Sequence, residues 1–153
     1  MGGDVIRAEV IKMNPDDIAK LEEFLRPTRI AIVATVDRRG MPHLTPNWYV
    51  FSDGRLHIST TKERMKYINL ARDNRMAVCV YSGTTATEYA SITGRAEISD
   101  DDSIWPITRT IVERHLPADR VEGRMATLRT ENRVILSLTP EKVIFRVMSE
   151  ATR

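Results

Sequence analysis

The run from Gly40 to Arg75 limits the possible folds more than any other part of this chain. It reads as two strands closed by an Asp53-Gly54 turn, followed without a break by a basic helix. An Asp-Gly pair between alternating segments signals a tight hairpin, which commits the two strands to antiparallel pairing. The second strand passes through Ser59, Thr60 and Thr61 directly into Lys62, Arg64 and Lys66. Hydroxyls, the unpaired N–H groups of a helix start and cations therefore meet at one point, which is the chemistry that binds a phosphate. The strand before the turn carries a mixed polar and aromatic surface on which a flat ring could lie.

The remaining elements follow from periodicity and punctuation. Asn14-Pro15-Asp16-Asp17 is a helix start with N-cap, first-turn proline and first-turn acids, and Pro27 ends that helix. Residues 29–36 read as a strand apolar enough to be buried on both faces, 43–51 as the second strand, and 55–60 as the third. Thr60 and Glu63 match a Thr-x-x-Glu capping box, which predicts a helix over 62–73. Helix spacing adds a condition. Lys62 and Lys66 share a face, so Arg64 can join Lys66 on one phosphate only from the pre-helical turn or a loosely wound first turn.

Strands are expected over 76–81 and 89–98, with Gly94 as a bulge. Helical segments follow, one broken or restarted at Pro106 and one from Pro117 to about 130. A final hairpin is expected, 134–138 and 143–147, around Thr139-Pro140-Glu141-Lys142. Trp48 and Tyr49 alternate along a strand; Tyr49 falls in register with Phe51 and reads as core, Trp48 as a pocket wall. The order of short, hairpin-linked strands and helices predicts an α+β fold, a small antiparallel barrel of six to seven strands with flanking helices, formed by one domain over 1–153.

Composition excludes several functions. With 153 residues, 42% hydrophobic, 29% charged and a net charge of +2, the chain is an ordinary globular domain, too balanced for a general nucleic-acid binder. No apolar run approaches a membrane span and residues 1–14 lack a signal-peptide core, so the cytoplasm is the expected compartment. Cys79 is the sole cysteine, which rules out an intrachain disulfide and a cysteine metal cluster. His43, His57 and His115 lack metal-ligand spacing, although His43 and His57 could meet across the hairpin; no metal is expected. There is no nucleophile elbow, Walker loop or dinucleotide glycine fingerprint. No catalytic side chain is assigned, and no substrate-anion cluster is visible apart from the basic helix start. What remains is cofactor chemistry, in which the protein orients a ring that carries the reaction.

The segments Ile32-Val33-Ala34-Thr35-Val36, Gly40-Met41-Pro42-His43, Asp53-Gly54-Arg55-Leu56, Ser59 through Lys66, Asn69-Leu70-Ala71-Arg72-Asp73 and Asn132 through Val143 resemble the pyridoxamine 5'-phosphate oxidase-like split-barrel superfamily. Within it they look most like the small group that binds F420 or FMN. The resemblance implies a split-barrel homodimer with a cofactor site at each subunit interface. By position, Arg64 and Lys66 would bind the phosphate, helped by Ser59, Thr60 and Thr61. Thr45, Pro46, Asn47, Trp48 and Ile58 would line the ring, Arg133 would bring a further cation, and Tyr89 would close the site across the dimer. The Thr-Pro-Asn-Trp run departs from the family's small or amide residues there, since Pro46 has no N–H and Trp48 only its indole donor.

The implied function is an oxidoreductase that moves hydride between bound F420 or FMN and a small conjugated or heterocyclic substrate. The alternative is a non-catalytic flavin, deazaflavin or haem carrier. Lys62, Arg72 and Arg75 are surplus cations that would suit the longer anionic tail of F420, which tilts the expectation towards F420.

Overall fold

A computed structural model of the chain describes residues 9–146, with side chains from Met13 onward. The elements run β1 (Glu9–Lys12), α1 (Pro15–Leu25), β2 (Ala31–Val36), β3 (Pro42–Asn47), β4 (Val50–Ser52), β5 (Arg55–Thr61), α2 (Met65–Arg72), β6 (Arg75–Tyr81), β7 (Tyr89–Ser99), α3 (Ile104–His115), α4 (Ala118–Leu128) and β8 (Arg133–Arg146). The first helix starts where expected. Asn14 Oδ1 accepts from the Asp17 N–H at 3.0 Å and the Asp17 carboxylate accepts from the Asn14 N–H at 3.2 Å, a reciprocal cap that satisfies two otherwise orphaned donors.

All the strands join one antiparallel sheet in the order β3-β2-β6-β7-β8-β5-β4, with β1 on the free side of β8. Its two ends, β3 and β4, are consecutive in the chain and separated only by Trp48 and Tyr49. Three peptide steps span at most about 11 Å, so the sheet has to curl until its ends nearly meet. The result is a barrel with a split, open between β3 and the outer part of β5. Residues 43–51 are thus two strands rather than one: β3 pairs with β2 and β4 with β5. His43 lies opposite Thr35 while His57 lies opposite Val50, so the histidines sit on strands that do not pair and the expected approach across a hairpin is absent.

Three further expectations change. The capping box at Thr60 does not form. Thr60 and Thr61 stay in the β5 ladder opposite Val134 and Arg133, Glu63 accepts instead from the Asn132 amide at 2.7 Å, and α2 begins only at Met65. Pro106 does not break α3. It is the third residue of the helix, where an N–H would have no intrahelical partner, so its missing donor costs nothing. The final hairpin is absent as well, since β8 is one strand pairing β7 along its length. Thr139 and Pro140 sit at a register shift opposite Gly94 and Arg95, where the strand bends instead of reversing. Gly94 is fixed there by sterics: a Cβ would lie 2.0 Å from the Thr139 carbonyl oxygen. Val147, expected in that last strand, lies outside the described residues.

Strand β2 is buried on one face only. Ala31, Val33 and Thr35 turn inward while Ile32, Ala34 and Val36 are half-exposed. The barrel core gathers Leu21, Leu25, Tyr49, Leu56, Ile58, Leu136 and Leu138, all almost fully buried. A second cluster packs α3 against the outside of the barrel through Val50, Ile104, Ile111 and Ile135, with Trp48 and Trp105 at its margin. Two apolar layers therefore flank the split and fix the helices over it.

Candidate functional site

The crossing from β3 to β4 builds the site. Tyr49 turns into the core, fully buried, with its hydroxyl donating to the Leu25 carbonyl at 2.9 Å; burial raises its pKa. Trp48, one residue earlier, turns the opposite way and stacks on His115 with ring centroids 4.8 Å apart and planes 5° off parallel. The His115 Nδ1 lies 2.9 Å from the Ile111 carbonyl and its Nε2 3.4 Å from that of Arg29, so the imidazole N–H has a carbonyl acceptor at either edge. The indole plane is thereby set before any ligand arrives.

Beside that indole is a cavity of about 200 Å³. Pro46, Asn47 and Trp48 form one wall, Ser59 and Arg133 the floor, and Thr108, Ile111 and Val112 of α3 with Arg124 and Leu128 of α4 the roof. The Asn47 amide NH₂ donates to the Thr45 carbonyl at 2.7 Å and to its hydroxyl at 3.1 Å, which leaves Asn47 Oδ1 as an open acceptor at the wall. The Arg133 guanidinium is held by Ser59 Oγ, which accepts from Nε at 3.2 Å and Nη2 at 3.0 Å, and by Glu131, which accepts from Nη1 at 3.0 Å. Only 13% of that side chain is exposed. Burial lowers its pKa, Glu131 opposes the shift, and Arg124 and Arg64 add to it; the group stays charged.

Next to this floor, Arg64 occupies the N-cap of α2 in an extended conformation, φ −79° and ψ 143°. It is therefore ahead of the helix, as sharing a phosphate with Lys66 requires. Lys66 is only 7% exposed, and among the described residues its ammonium makes no hydrogen bond or ion pair. Burial lowers its pKa first, then the charges of Arg64 and Arg133. Its Nζ is not itself shut away from solvent, so a buried stem holds the charge at the opening, and three cations that feel one another make a seat for an anion.

The positions singled out in the sequence divide accordingly. Pro46, Asn47, Trp48, Ser59 and Arg133 line the cavity, and Arg64 and Lys66 extend its cationic floor. Thr45 reaches the wall only through Asn47, and Thr61 pairs with Arg133 in the ladder. Ile58 is fully buried in the barrel core and Thr60 is almost so: on β5 their side chains alternate inward while Ser59 turns outward to the cavity. Tyr89 begins β7 opposite Tyr81 and Arg146 and is not among the cavity walls. The helical roof was not foreseen. Arg124 is itself exposed, next to the buried stripe of α4 formed by Val121, Met125 and Leu128, so periodicity gave it no more weight than any surface cation. The pairing of His115 with Trp48 had no signal either.

The surplus cations are spent elsewhere. Lys62 pairs with Asp100 at 2.9 Å, Arg75 with Asp73 at 2.7 Å, and Arg72 donates to the Val36 carbonyl. His57 is also engaged, with Nδ1 2.8 Å from Ser137 Oγ and Nε2 3.3 Å from the Ser52 carbonyl, and burial lowers its pKa. Among the described residues no group of three or more His, Cys, Asp or Glu side chains could hold a metal, and no helix is long and apolar enough to cross a membrane.

A family profile described as pyridoxamine 5'-phosphate oxidase matches residues 18–146. The chain belongs to this family. The profile covers every element from the body of α1 to the end of β8, so both the split and the basic floor lie within it. Solved structures share the fold. A conserved hypothetical protein of Mycobacterium tuberculosis is 23% identical with a TM-score of 0.74, covering 96% of this chain and 98% of its own. A protein named F420 reductase is 23% identical with a TM-score of 0.63, covering 80% and 94%. A candidate pyridoxamine 5'-phosphate oxidase of Listeria innocua is 18% identical with a TM-score of 0.64, covering 83% and 96%. No curated protein sequence matches the chain.

Proposed function

We propose that this family member binds F420 or FMN at the split of its barrel and serves as an oxidoreductase, passing hydride to or from a small conjugated or heterocyclic substrate. The observation that carries the reading is Lys66, buried and without a counter-charge, beside Arg64 and Arg133. That donor set fits a phosphate, with two point-like or forked cations and a third fixed by Ser59. When bound, the ring supplies the two-electron chemistry. The residues of this chain hold its phosphate, offer the set plane of Trp48 as a flat wall, and present the Asn47 carbonyl to a ring edge. Every ionisable side chain lining the cavity is an arginine, so no protein acid or base is assigned a proton.

F420 stays ahead of FMN on a different ground from the one the sequence suggested. Lys62 and Arg75, now ion-paired, and Arg72, bonded to a backbone carbonyl, no longer argue for a long anionic tail; F420 is kept ahead on the likeness to the structure named F420 reductase. We also propose a homodimer. On the outer sheet face Leu44 is 62% exposed beside the half-exposed Ile32 and Ala34, an apolar surface that a second copy would cover. The expected compartment is the cytoplasm.

The test of turnover is oxidation of the reduced cofactor by a panel of enones and quinones. Acceleration above the free-cofactor rate supports an enzyme; a rate equal to background across the panel supports a carrier instead. A haem carrier is the weaker form of that alternative. His57 and His115 have both ring nitrogens engaged, and His43, whose Nδ1 is buried without a partner, is the one histidine left with an open nitrogen.

A further inference from the structure

We propose that the cavity between Trp48 and the α3–α4 pair is a second anion site, which takes a single-ring aromatic or conjugated carboxylate seated on Arg124 and Arg133. The inference rests on the cofactor reading and deepens it by naming the substrate class. Charge balance gives the first argument. Arg124 and Arg133 both line the cavity and Glu131 is the carboxylate bonded there, so two guanidiniums against one carboxylate leave one positive charge. With Arg64 and Lys66 set on the cofactor phosphate, that charge is left for another anion.

The position of that charge gives the second. Arg124 of α4 lines the cavity whereas Lys66 of α2 does not, so the surplus lies on the α4 side. Among the described residues the guanidinium of Arg124, an exposed residue, has no hydrogen bond or ion pair, and it lines the same open cavity as the buried guanidinium of Arg133. An exposed arginine without a partner is commonplace. Two guanidiniums lining one cavity repel unless an anion bridges them, and a carboxylate is the planar group that guanidinium forks match.

Size and lining give the third. The cavity holds about 200 Å³, below the roughly 300–1,000 Å³ of sites for larger ligands and somewhat above the roughly 150 Å³ that accommodates a benzene. Ile111 of α3 and Leu128 of α4 supply apolar contact on the helical side of the cavity. The Thr108 hydroxyl is spent on the Ile104 carbonyl at 2.7 Å, so α3 offers the ligand apolar contact and no open hydroxyl.

The experiment is calorimetric titration of the cofactor-free full-length protein with benzoate and with benzamide as its neutral isostere. It is done on the wild type, Arg124→Ala and Arg124→Lys, each variant also being titrated with FMN and F420. The expected result is saturable benzoate binding, weakened about tenfold or more in Arg124→Ala, partly restored in Arg124→Lys, and at least about tenfold weaker for benzamide. Cofactor affinity should be the same in all three proteins, which also shows that the variants fold. No benzoate binding, equal binding of benzamide, or indifference to Arg124→Ala overturns the proposal. Equal loss of benzoate and cofactor in Arg124→Ala overturns it too, because Arg124 would then belong to the phosphate seat. Benzoate binding with the expected pattern, in a protein that takes neither FMN nor F420, supports this site and sinks the cofactor reading instead.

Discussion

Two groups of cations in this molecule differ in what faces them. Lys62, Arg72 and Arg75 sit at the surface and are each engaged, by Asp100, the Val36 carbonyl and Asp73. Arg64, Lys66 and Arg124 converge on the split of the barrel and have no partner among the described residues, while the fourth member, Arg133, is only partly neutralised by Glu131. The sequence shows one basic helix start; the fold sorts its charges into spent and waiting. A count of lysines and arginines therefore says little about a ligand, whereas the subset held near one another without counter-ions says a good deal.

The sharpest way to break that contrast is Lys66→Met, which keeps the length of the side chain and removes its charge. FMN or F420 affinity should fall about 10- to 100-fold, the worth of a charge-assisted hydrogen bond. The unliganded protein should melt no lower than the wild type, because an unpaired charge on a buried stem, repelled by Arg64 and Arg133, has been replaced by an apolar group. Calorimetric binding and thermal unfolding on the same preparation check both halves. Arg64→Ala should weaken binding less, by about tenfold, since this side chain is exposed and competes with water for the phosphate. A loss equal to that of Lys66→Met would place both charges in the same buried seat and redraw the division.

Hydrogen bonding alone does not protect a charge, and His57 sharpens that point. Both of its ring nitrogens are engaged, yet burial lowers its pKa from the ordinary 6.5. Below pH 6.5 the unfolded chain then binds a proton that the folded chain resists, so stability falls as pH drops from 6.5 through the lowered folded value. Urea unfolding across that window should show the slope, and His57→Gln should flatten it. The smallest effects belong to the spent cations. Lys62→Ala and Arg75→Ala should each change cofactor affinity by no more than about twofold, since exposed ion pairs contribute little. A larger loss in the Lys62 variant with F420 alone would return that residue to the anionic tail.

Much of the architecture was legible in the residues because it depends on local signals. The Asn14-Pro15 start, the Asp53-Gly54 turn and the Gly94 bulge each follow from backbone chemistry within a few positions. The position of Arg64 ahead of α2 was legible as a condition on spacing. What escaped depends on who pairs with whom. A run such as 43–51 alternates equally well whether it keeps one neighbour or changes neighbours at Trp48, and only closure of the barrel requires the change. Thr139-Pro140-Glu141-Lys142 carries turn residues because a bulge and a hairpin favour the same chemistry. That Ile58 turns inward follows from the strand's alternation, fixed by its pairing with β8. The helical roof depends on tertiary packing of α3 against Val50 and Ile135, distant in sequence, so Arg124 could be seen only once the cavity was.

The most direct test of the central claim is equilibrium titration of the cofactor-free protein with FMN and F420, comparing wild type, Lys66→Met and Lys62→Ala side by side. The account predicts that the wild type and Lys62→Ala bind one of these cofactors with affinities within about twofold, while Lys66→Met loses about 10- to 100-fold. Equal binding by Lys66→Met and the wild type would contradict it, and the unpartnered cations at the split would no longer mark the cofactor phosphate.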